Sequence, residues 1–204
     1  MKTDLLDIRN CDCMDLMQKF PDKHFDLAVV DPPYGIGINS SGRLGHYGGK
    51  GKKWDDNTPT DEYFAEVFRV SKNQIIWGAN YFSMPPCRGF IIWDKEQPED
   101  VSFASCEYAW SSFDKSARTF YLRPQCADID RIHPTQKPVL LYNWIFANYA
   151  KPGMKILDTH MGSGSIAISA HYNKMHLTAS ELDKDYYNAA CERIERETRQ
   201  LTLF

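Results

Sequence analysis

One stretch decides the fold of this chain: FDLAVVDPPY, residues 25–34. It begins as a short, mostly aliphatic run and stops at a Pro-Pro pair, which predicts a buried parallel strand. Asp31 then lies at the carboxyl end of that strand, where open α/β sheets bind their ligands. The sequence therefore brings a carboxylate, a rigid turn and an aromatic ring to one point.

The last four residues of this stretch, Asp31, Pro32, Pro33 and Tyr34, suit methyl transfer to an exocyclic amino group. Such a nitrogen is a poor nucleophile because its lone pair is delocalised into the ring. A carboxylate oxygen of Asp31 and the carbonyl of Pro32 would accept its two hydrogens and localise the lone pair. Proline lacks a backbone N–H, so the turn presents acceptors, and Tyr34 would stack on a planar base. The alternative is a strand-ending Asp-Pro turn with a packed tyrosine.

The composition is that of a folded, slightly acidic protein. The chain has 204 residues, 43% of them hydrophobic, and we expect one domain spanning residues 1–204. The net charge of -3 argues against a strongly basic nucleic-acid binder, so any DNA affinity would come from local patches. Six cysteines without a CxxC pair predict reduced thiols in a cytoplasmic protein and no metal site. No apolar stretch reaches the length of a membrane span.

Strand-like and helix-like segments alternate along the chain, which predicts a doubly wound α/β sheet. The expected strands are 3–8, 25–30, 74–78, 89–94, 104–113, 118–122, 155–158 and 176–181. The expected helices are 12–20, 60–72, 138–149, 165–171 and 184–199.

A glycine motif, DTHMGSG at residues 158–164, fits a strand–GxGxxA–helix nucleoside site. Glu181 follows at the end of the next predicted strand, where a carboxylate accepts hydrogen bonds from ribose hydroxyls. This pattern alone suits NAD equally well. The sequence after Glu181 has room for one helix, so the rest of the sheet must come from upstream and the order is circularly permuted. The predicted contacts in this motif are Asp158, Gly162, Ser163, Gly164 and Glu181, with Asp12 and Cys13 meeting the base of the nucleoside.

A second motif, HPTQKP at residues 133–138, comes immediately before a predicted helix. Backbone N–H groups at a helix start suit a carboxylate ligand. His133 opens the motif, Thr135 and Gln136 would add hydrogen bonds, and Lys137 would add a charge, although a solvated surface lysine is the alternative.

The segment 35–58 is a glycine-rich loop, which we expect to be a flexible lid or a clamp on the DNA backbone. A solvated surface loop is the alternative. Its candidate DNA-binding residues are Arg43, Lys50, Lys52 and Lys53.

Together these motifs resemble the β-class of amino DNA methyltransferases, which use S-adenosylmethionine and place the catalytic motif before the cofactor motif. DPPY is typical of adenine-N6 enzymes, whereas cytosine-N4 enzymes more often carry serine first. NCDC at 10–13 looks like the family motif that contacts the cofactor adenine. IIWGANYF at 75–82 and IWDK at 92–95 look like bacteriophage and prophage members. The resemblance covers nearly the whole chain and implies a Rossmann-like methyltransferase sheet.

The chain departs from this resemblance where relatives usually insert a target-recognition domain. Only residues 114–132 stand there, a very short substitute whose candidate DNA contacts are Arg118, Arg123 and Arg131. We therefore expect a short or relaxed recognition sequence, or help from a second subunit in a homodimer.

The resemblance implies a DNA methyltransferase acting without a metal on N6 of adenine, in DNA whose base is flipped out or single-stranded. A restriction-modification or phage role in a bacterial or phage-infected cell would follow. Cytosine N4, RNA adenine and a protein glutamine amide are alternatives within this chemistry; glutamine enzymes usually carry Asn in place of Asp31. Two other classes are an NAD-dependent oxidoreductase and a non-catalytic DNA-binding module.

Overall fold

The structure, a computed structural model, describes residues 1–37, 54–98, 104–124 and 131–199. These residues form eight strands and five α-helices. The strands are β1 (Leu6–Asn10), β2 (Phe25–Val30), β3 (Ser71–Trp77), β4 (Phe90–Asp94), β5 (Cys106–Ser111), β6 (Arg118–Tyr121), β7 (Lys155–Asp158) and β8 (His176–Glu181). The helices are α1 (Cys13–Met17), α2 (Asp61–Val70), α3 (Val139–Tyr149), α4 (Ser165–Tyr172) and α5 (Lys184–Thr198), and a short 3₁₀ turn, Ala79–Tyr81, follows β3.

All eight strands belong to one sheet, in the order β1-β8-β7-β2-β3-β5-β4-β6. Each pairing is parallel except the two made by β5, which runs against β3 and β4. If β7 is numbered as the first strand, the first five positions read 3-2-1-4-5, the order of a doubly wound nucleotide-binding sheet. The expected fold, doubly wound and circularly permuted, is therefore confirmed.

Helices cover both faces of the sheet. Helices α3, α4 and α5 pack on one face, and α1 and α2 on the other. Alternate residues of β2 point to the two sides: Leu27 and Val29 enter the first core, while Ala28 and Val30 enter the second. A strand buried on both faces needs an almost continuous apolar run, which is why the sequence of β2 predicted a central parallel strand.

The neighbours β7 and β2 form the switch point of the sheet. After β7 the chain crosses to β8 on one side, and after β2 it crosses to β3 on the other. A crevice opens at such a point beyond the carboxyl ends of the strands. We call this side of the sheet the carboxyl edge; Asp31 and Asp158 both lie there.

Several element bounds differ from the prediction because pairing with neighbouring strands decides them. Strand β1 begins at Leu6, since it pairs with β8 from there to Asn10. Helix α1 is shorter than expected and has Asp12 as its N-cap. Strand β3 begins at Ser71, directly after α2, because Ser71 already pairs with Phe25 of β2.

The loop and domain predictions are only partly covered. Residues 38–53 and 125–130 lie outside the described residues, so the flexible role of 35–58 and the substitute role of 114–132 stay predictions. Within the described part of the chain, no helix combines the length and apolarity needed to cross a membrane.

Replacing Gly164 by alanine should lower the free energy of unfolding. Gly164 has a φ of +76°, and an added Cβ would lie 2.8 Å from Cδ1 of Ile194, a fully buried side chain of α5. The left-handed backbone costs alanine about 1 kcal/mol, and overpacking adds about 1 kcal/mol or more. Urea unfolding measures the loss. Gly153→Ala is the matched control, because Gly153 has a φ of +84° with nothing within 4 Å of an added Cβ. Equal losses would contradict a packing contribution.

Candidate active site

Two cavities open at the carboxyl edge and meet at Asp31. The first has a volume of about 370 Å³ and the second about 490 Å³. Both are lined by Asp31, Pro33 and Trp54. The first also includes Cys11, Asp12, Cys13, His133, Thr159, His160, Gly162, Glu181, Leu182, Asp183 and Tyr186. The second also includes Pro32, Tyr34, Ile36, Asp55, Gly78, Asn80, Tyr81, Lys95, Ala104, Cys106, Glu107, Tyr108, Thr135 and Lys137.

The turn that carries Asp31 is fixed by a buried carboxylate from the following segment. Oδ1 of Asp55 accepts hydrogen bonds from the backbone N–H of Tyr34 (2.8 Å) and of Gly35 (3.1 Å). The hydroxyl of Tyr34 donates to Oδ1 of Asp31 at 2.6 Å. The tyrosine is therefore tied to the carboxylate that it follows in sequence, which the sequence did not predict.

The ring of Tyr34 packs against the turn after β3. It stacks on Tyr81, with the ring centroids 5.0 Å apart and an interplanar angle of 16°. Gly78 has a φ of +67°, and a Cβ there would lie 2.0 Å from Cε1 of Tyr34. Only glycine leaves room for the ring, so this turn determines where Tyr34 lies.

A buried cluster of charges surrounds the other oxygen of Asp31. Nζ of Lys137 lies 2.5 Å from Oδ2 of Asp31 and 2.9 Å from Oε2 of Glu107. Nζ of Lys95 lies 2.7 Å from Oε1 of Glu107. Only 3% of the Lys137 side chain is exposed. We call Asp31, Lys137, Glu107 and Lys95 the ionic cluster.

Each member of this cluster influences the pKa of its neighbours. Burial raises the pKa of Asp31 and Glu107 adds to the rise, while the Lys137 ammonium opposes it. Burial would also raise the pKa of Glu107, but the two lysines outweigh it and bring that pKa to about 2. Burial would lower the pKa of Lys137, but Asp31 and Glu107 outweigh it and raise the value. Lys137 and Glu107 are therefore both ionised at neutral pH.

The first cavity is organised by Glu181 at the end of β8. Its Oε2 accepts a hydrogen bond from Gly162 N–H and its Oε1 accepts one from Asp183 N–H, each at 2.9 Å. Opposite, Oδ1 of Asp12 caps α1 by accepting from Met14 N–H at 2.7 Å. Carboxylates thus flank a cleft floored by a glycine loop, an arrangement that suits a nucleoside.

The remaining glycine-motif residues shape this loop from behind. Asp158 is 2% exposed, and its Oδ1 accepts from His160 N–H at 3.0 Å. The carbonyl of Ser163 accepts from Arg193 at 2.9 Å, and Gly164 packs on α5. These three predicted contacts, Asp158, Ser163 and Gly164, do not line the first cavity.

Five of the other predicted cofactor residues line the first cavity. They are Asp12, Cys13, His133, Gly162 and Glu181.

The HPTQKP segment spans the boundary between the cavities. Thr135 and Lys137 line the second cavity, and the Lys137 ammonium is held by Asp31, so the structure does not bring it to the first. Gln136 lines neither cavity; its Oε1 accepts from Ile132 N–H at 3.0 Å.

The predicted DNA contacts are not gathered in one place. Arg118 begins β6, at the opposite edge of the sheet from Asp31, and donates to Oδ1 of Asn148 at 2.5 Å. Arg123 is exposed just beyond the carboxyl end of β6. Arg131 donates to the carbonyl of Pro134 at 2.6 Å and so fastens the HPTQKP segment. Arg43, Lys50, Lys52 and Lys53 lie outside the described residues.

Sequence reasoning predicted the DPPY side of the second cavity but missed several residues on its other walls. Glu107 lies near the start of β5, and a strand start reaches the carboxyl edge only because β5 runs antiparallel. Lys95 directly follows the carboxyl end of β4, a position typical of site residues. That position is the signal from which the sequence could have indicated this side of the cavity. Trp54, between the two cavities, and Tyr81 were also missed.

Asp158→Asn should stabilise the folded state at neutral and alkaline pH. Burial raises the pKa of Asp158 from 3.8 to about 8, against the hydrogen bond from His160. The folded state thus keeps a proton that the unfolded state loses. The stability contributed by the protonated carboxyl is complete below about pH 4 and disappears as the pH rises to about 8. Asparagine keeps the acceptor and removes the ionisation.

Urea unfolding of both proteins between these pH values measures this effect. The advantage of the variant should grow with pH and reach about 1 kcal/mol or more at the alkaline end. Taking the difference cancels the opposite contribution of His160, whose pKa burial lowers to about 4. A difference that stays constant with pH would contradict a protonated Asp158.

The fold is similar to that of two solved structures, one of them a DNA methyltransferase. The M1.HpyAVI–SAM complex has a TM-score of 0.61 at 21% identity, covering 92% of this chain and 99% of that one. The cytosine-N4-specific PvuII DNA methyltransferase has a TM-score of 0.65 at 11% identity, covering 97% and 91%. At these identities the similarity establishes the fold. A relative from Escherichia coli K12, named "Putative methylase YubD", is 22% identical over 208 residues, 93% of this chain and 90% of its own.

A family model described as DNA methylase matches residues 88–192, a little over half of the chain. The match contains both the HPTQKP segment and the glycine loop, but not Asp31, so the Asp31 turn adds independent support. The family match confirms the resemblance at the level of amino DNA methyltransferases, while the β-class and phage-like assignments stay predictions. The chain belongs to the N6/N4 DNA methylase family.

Proposed function

We propose that this protein transfers a methyl group from S-adenosylmethionine to the N6 amino group of adenine in DNA. The observation that carries the proposal is that two cavities share Asp31 and Pro33 as a common wall. Methyl transfer needs a donor and an acceptor in contact, with the acceptor nitrogen oriented by hydrogen-bond acceptors. A two-cavity site divided by the DPPY turn meets that need.

The first cavity fits S-adenosylmethionine. Glu181 stands at a strand end for the ribose hydroxyls, beside a glycine with a φ of +54° that gives the ligand close access to the backbone. Asp12 and Leu182 would flank the base of the cofactor. When bound, the cofactor supplies an electrophilic methyl on a sulfonium. The SAM complex of M1.HpyAVI, which has the same fold, supports this choice over NAD.

In the second cavity, Asp31 and Pro32 would hold the amino group of the acceptor base. Asp31 accepts one N–H hydrogen and the Pro32 carbonyl accepts the other, so the nitrogen lone pair turns toward the first cavity. The lone pair would form the new N–C bond as the bond between the methyl group and the sulfonium breaks; the bonding electrons stay on sulfur, which leaves as a neutral thioether, and the surplus proton on nitrogen leaves to Asp31 or to water. We assign Thr135 and Lys137 to this acceptor side because both line the second cavity.

The structure changes what we expect of Tyr34. Its hydroxyl is engaged by Asp31 and its ring stacks on Tyr81. We propose that the two tyrosines together form the aromatic wall for the base and that the hydroxyl orients the carboxylate. Stacking on such a wall is typically worth roughly 1–3 kcal/mol per base.

The target base has to leave its duplex, or come from single-stranded DNA, to reach Asp31, because 81% of that side chain is covered. Arg123 and Arg131 at the carboxyl edge are our candidates for phosphate contacts. Arg118 is not, since it lies at the opposite edge. Because the segment 114–132 is short and the described residues offer few side chains for base edges, we expect a short or relaxed recognition sequence.

Cytosine N4 is the second candidate. The fold is similar to the cytosine-N4-specific PvuII enzyme, and adenine and cytosine present the same exocyclic amine beside a ring nitrogen. The first residue of the DPPY motif favours adenine, because cytosine enzymes more often carry serine there.

The product identifies the function. Plasmid DNA is incubated with the protein and S-adenosylmethionine, digested to nucleosides and analysed by mass spectrometry. We expect N6-methyladenine. N4-methylcytosine would select the second candidate. RNA is incubated in a parallel reaction, and methylation of RNA with no modification of DNA would show that the substrate is RNA. Single-molecule sequencing of the same DNA reads the context of each site. Modification confined to a long motif would contradict relaxed recognition.

Asp31→Asn should lower the methylation rate by roughly 100-fold or more, because one acceptor for the amine becomes a poorer one. Cofactor binding, measured by titration calorimetry, should change little. Asp26→Asn is the matched control: Asp26 is on the same strand and also pairs with a lysine, Lys72, at 2.7 Å, but near the opposite edge. A rate for Asp31→Asn equal to that of the control would rule out this role.

A further inference from the structure

The ionic cluster joins two acids and two lysines in alternation. From Asp31 the contacts run to Lys137 at 2.5 Å, to Glu107 at 2.9 Å and to Lys95 at 2.7 Å. The side chains of Lys137 and Lys95 are 3% and 14% exposed. Burying charges costs free energy that pairing only partly recovers. A buried cluster of four charges at a cavity wall is therefore more easily explained by a role in the site than by stability.

We propose that Lys137 is a positioning residue that keeps Asp31 ionised and correctly oriented as an acceptor, with Glu107 holding the lysine in place. This inference rests on the proposed function. It explains how the charge of Lys137 controls the protonation state of Asp31 in that same site. The sequence placed Lys137 with the cofactor; its contact with Asp31 is what assigns it this role.

The hydrogen bonds to Asp31 leave room for a substrate amine. Tyr34 donates to Oδ1 and Lys137 donates to Oδ2, one donor on each oxygen. A carboxylate oxygen accepts two hydrogen bonds, so each keeps one free acceptor position. A protonated carboxyl would instead present an O–H donor to the amine and lose the acceptor. Ionisation of Asp31 is therefore a condition for the reaction.

The surroundings of Asp31 would otherwise favour its neutral form. Among the described residues, acids and phenols from β5, β7, α2 and α3 interact electrostatically with Asp31: Glu107, Asp158, Tyr63 and Tyr142. Tyr34, in its own turn, donates a hydrogen bond to it. Among the described residues, Lys137 is the cation in direct contact with Asp31. Burial and Glu107 both raise the pKa of Asp31; the Lys137 ammonium opposes them through its charge and its hydrogen bond, and the hydrogen bond from Tyr34 acts in the same direction.

The test is Lys137→Met, which keeps the length of the side chain and removes its charge. Loss of a cation at contact distance raises a carboxyl pKa by roughly 1–3 units. We expect the acid limb of the pH profile of kcat to move to higher pH by that amount. The rate should fall by about tenfold or more at neutral pH and recover in alkaline buffer. A purely structural lysine would lower the rate equally at every pH.

Two further variants separate charge from folding. In Lys137→Met/Glu107→Gln the acid that raises the pKa of Asp31 is also removed, so the acid limb should return toward its wild-type position. Lys72→Met is the matched control: it breaks a 2.7 Å lysine–carboxylate pair that is 55% exposed on the lysine side. Its pH profile should match that of the wild type.

Carbon-13 NMR titration of the Asp31 carboxyl, assigned with Asp31→Asn, provides a readout that needs no turnover. Its pKa should rise in Lys137→Met and fall in Glu107→Gln. An unchanged carboxyl titration, or a Lys137→Met profile lowered without a shift, would overturn the proposal. If the wild type fails to methylate any nucleic acid, the proposed function is wrong, while the carboxyl titration still decides the role of Lys137.

Discussion

The pairing of β2 with β7 is the constraint on which the rest of this molecule depends. Leu27 pairs with Ile156 and Ala28 with Leu157, which aligns the two strands so that both end at the carboxyl edge. The loop after one strand carries the DPPY turn, and the loop after the other carries the glycine motif. A slip of this register by one residue would exchange the two faces of β2 and separate the cavities.

Helical and extended segments with strong patterns were well predicted from sequence. The central strand, the glycine loop and α3 follow from local patterns: an apolar run, a positive-φ requirement and a helix bounded by Pro138 and Pro152. Boundaries set by partners were not predictable, as β1 and β3 show. Each begins where a distant strand offers hydrogen bonds, and no local pattern records where that is.

Site residues marked by a local motif were predictable from the sequence, whereas those placed by distant partners were not. Asp31, Gly162 and Glu181 are each marked by a motif at a strand end, and all three line the first cavity. Glu107 carries no such mark, because its place depends on the reversed direction of β5. Lys137 was recognised as part of a motif, but its partner was not: a buried ion pair between residues far apart in sequence has no local signature. Asp158 shows the converse, since a motif residue turned out to support the loop from inside.

Circular permutation has a consequence for how the chain acquires this structure. Strand β7 lies between β2 and β8, yet it follows β2 by more than half the chain. Until it arrives, one side of β2 is an unpaired, strongly apolar edge, the kind of surface that attracts other strands. Contacts of such long sequence separation are also slow to form. A ribosome-bound chain that already contains the DPPY turn but not yet β7 therefore lacks the first cavity and exposes an apolar strand edge, a feature that favours aggregation.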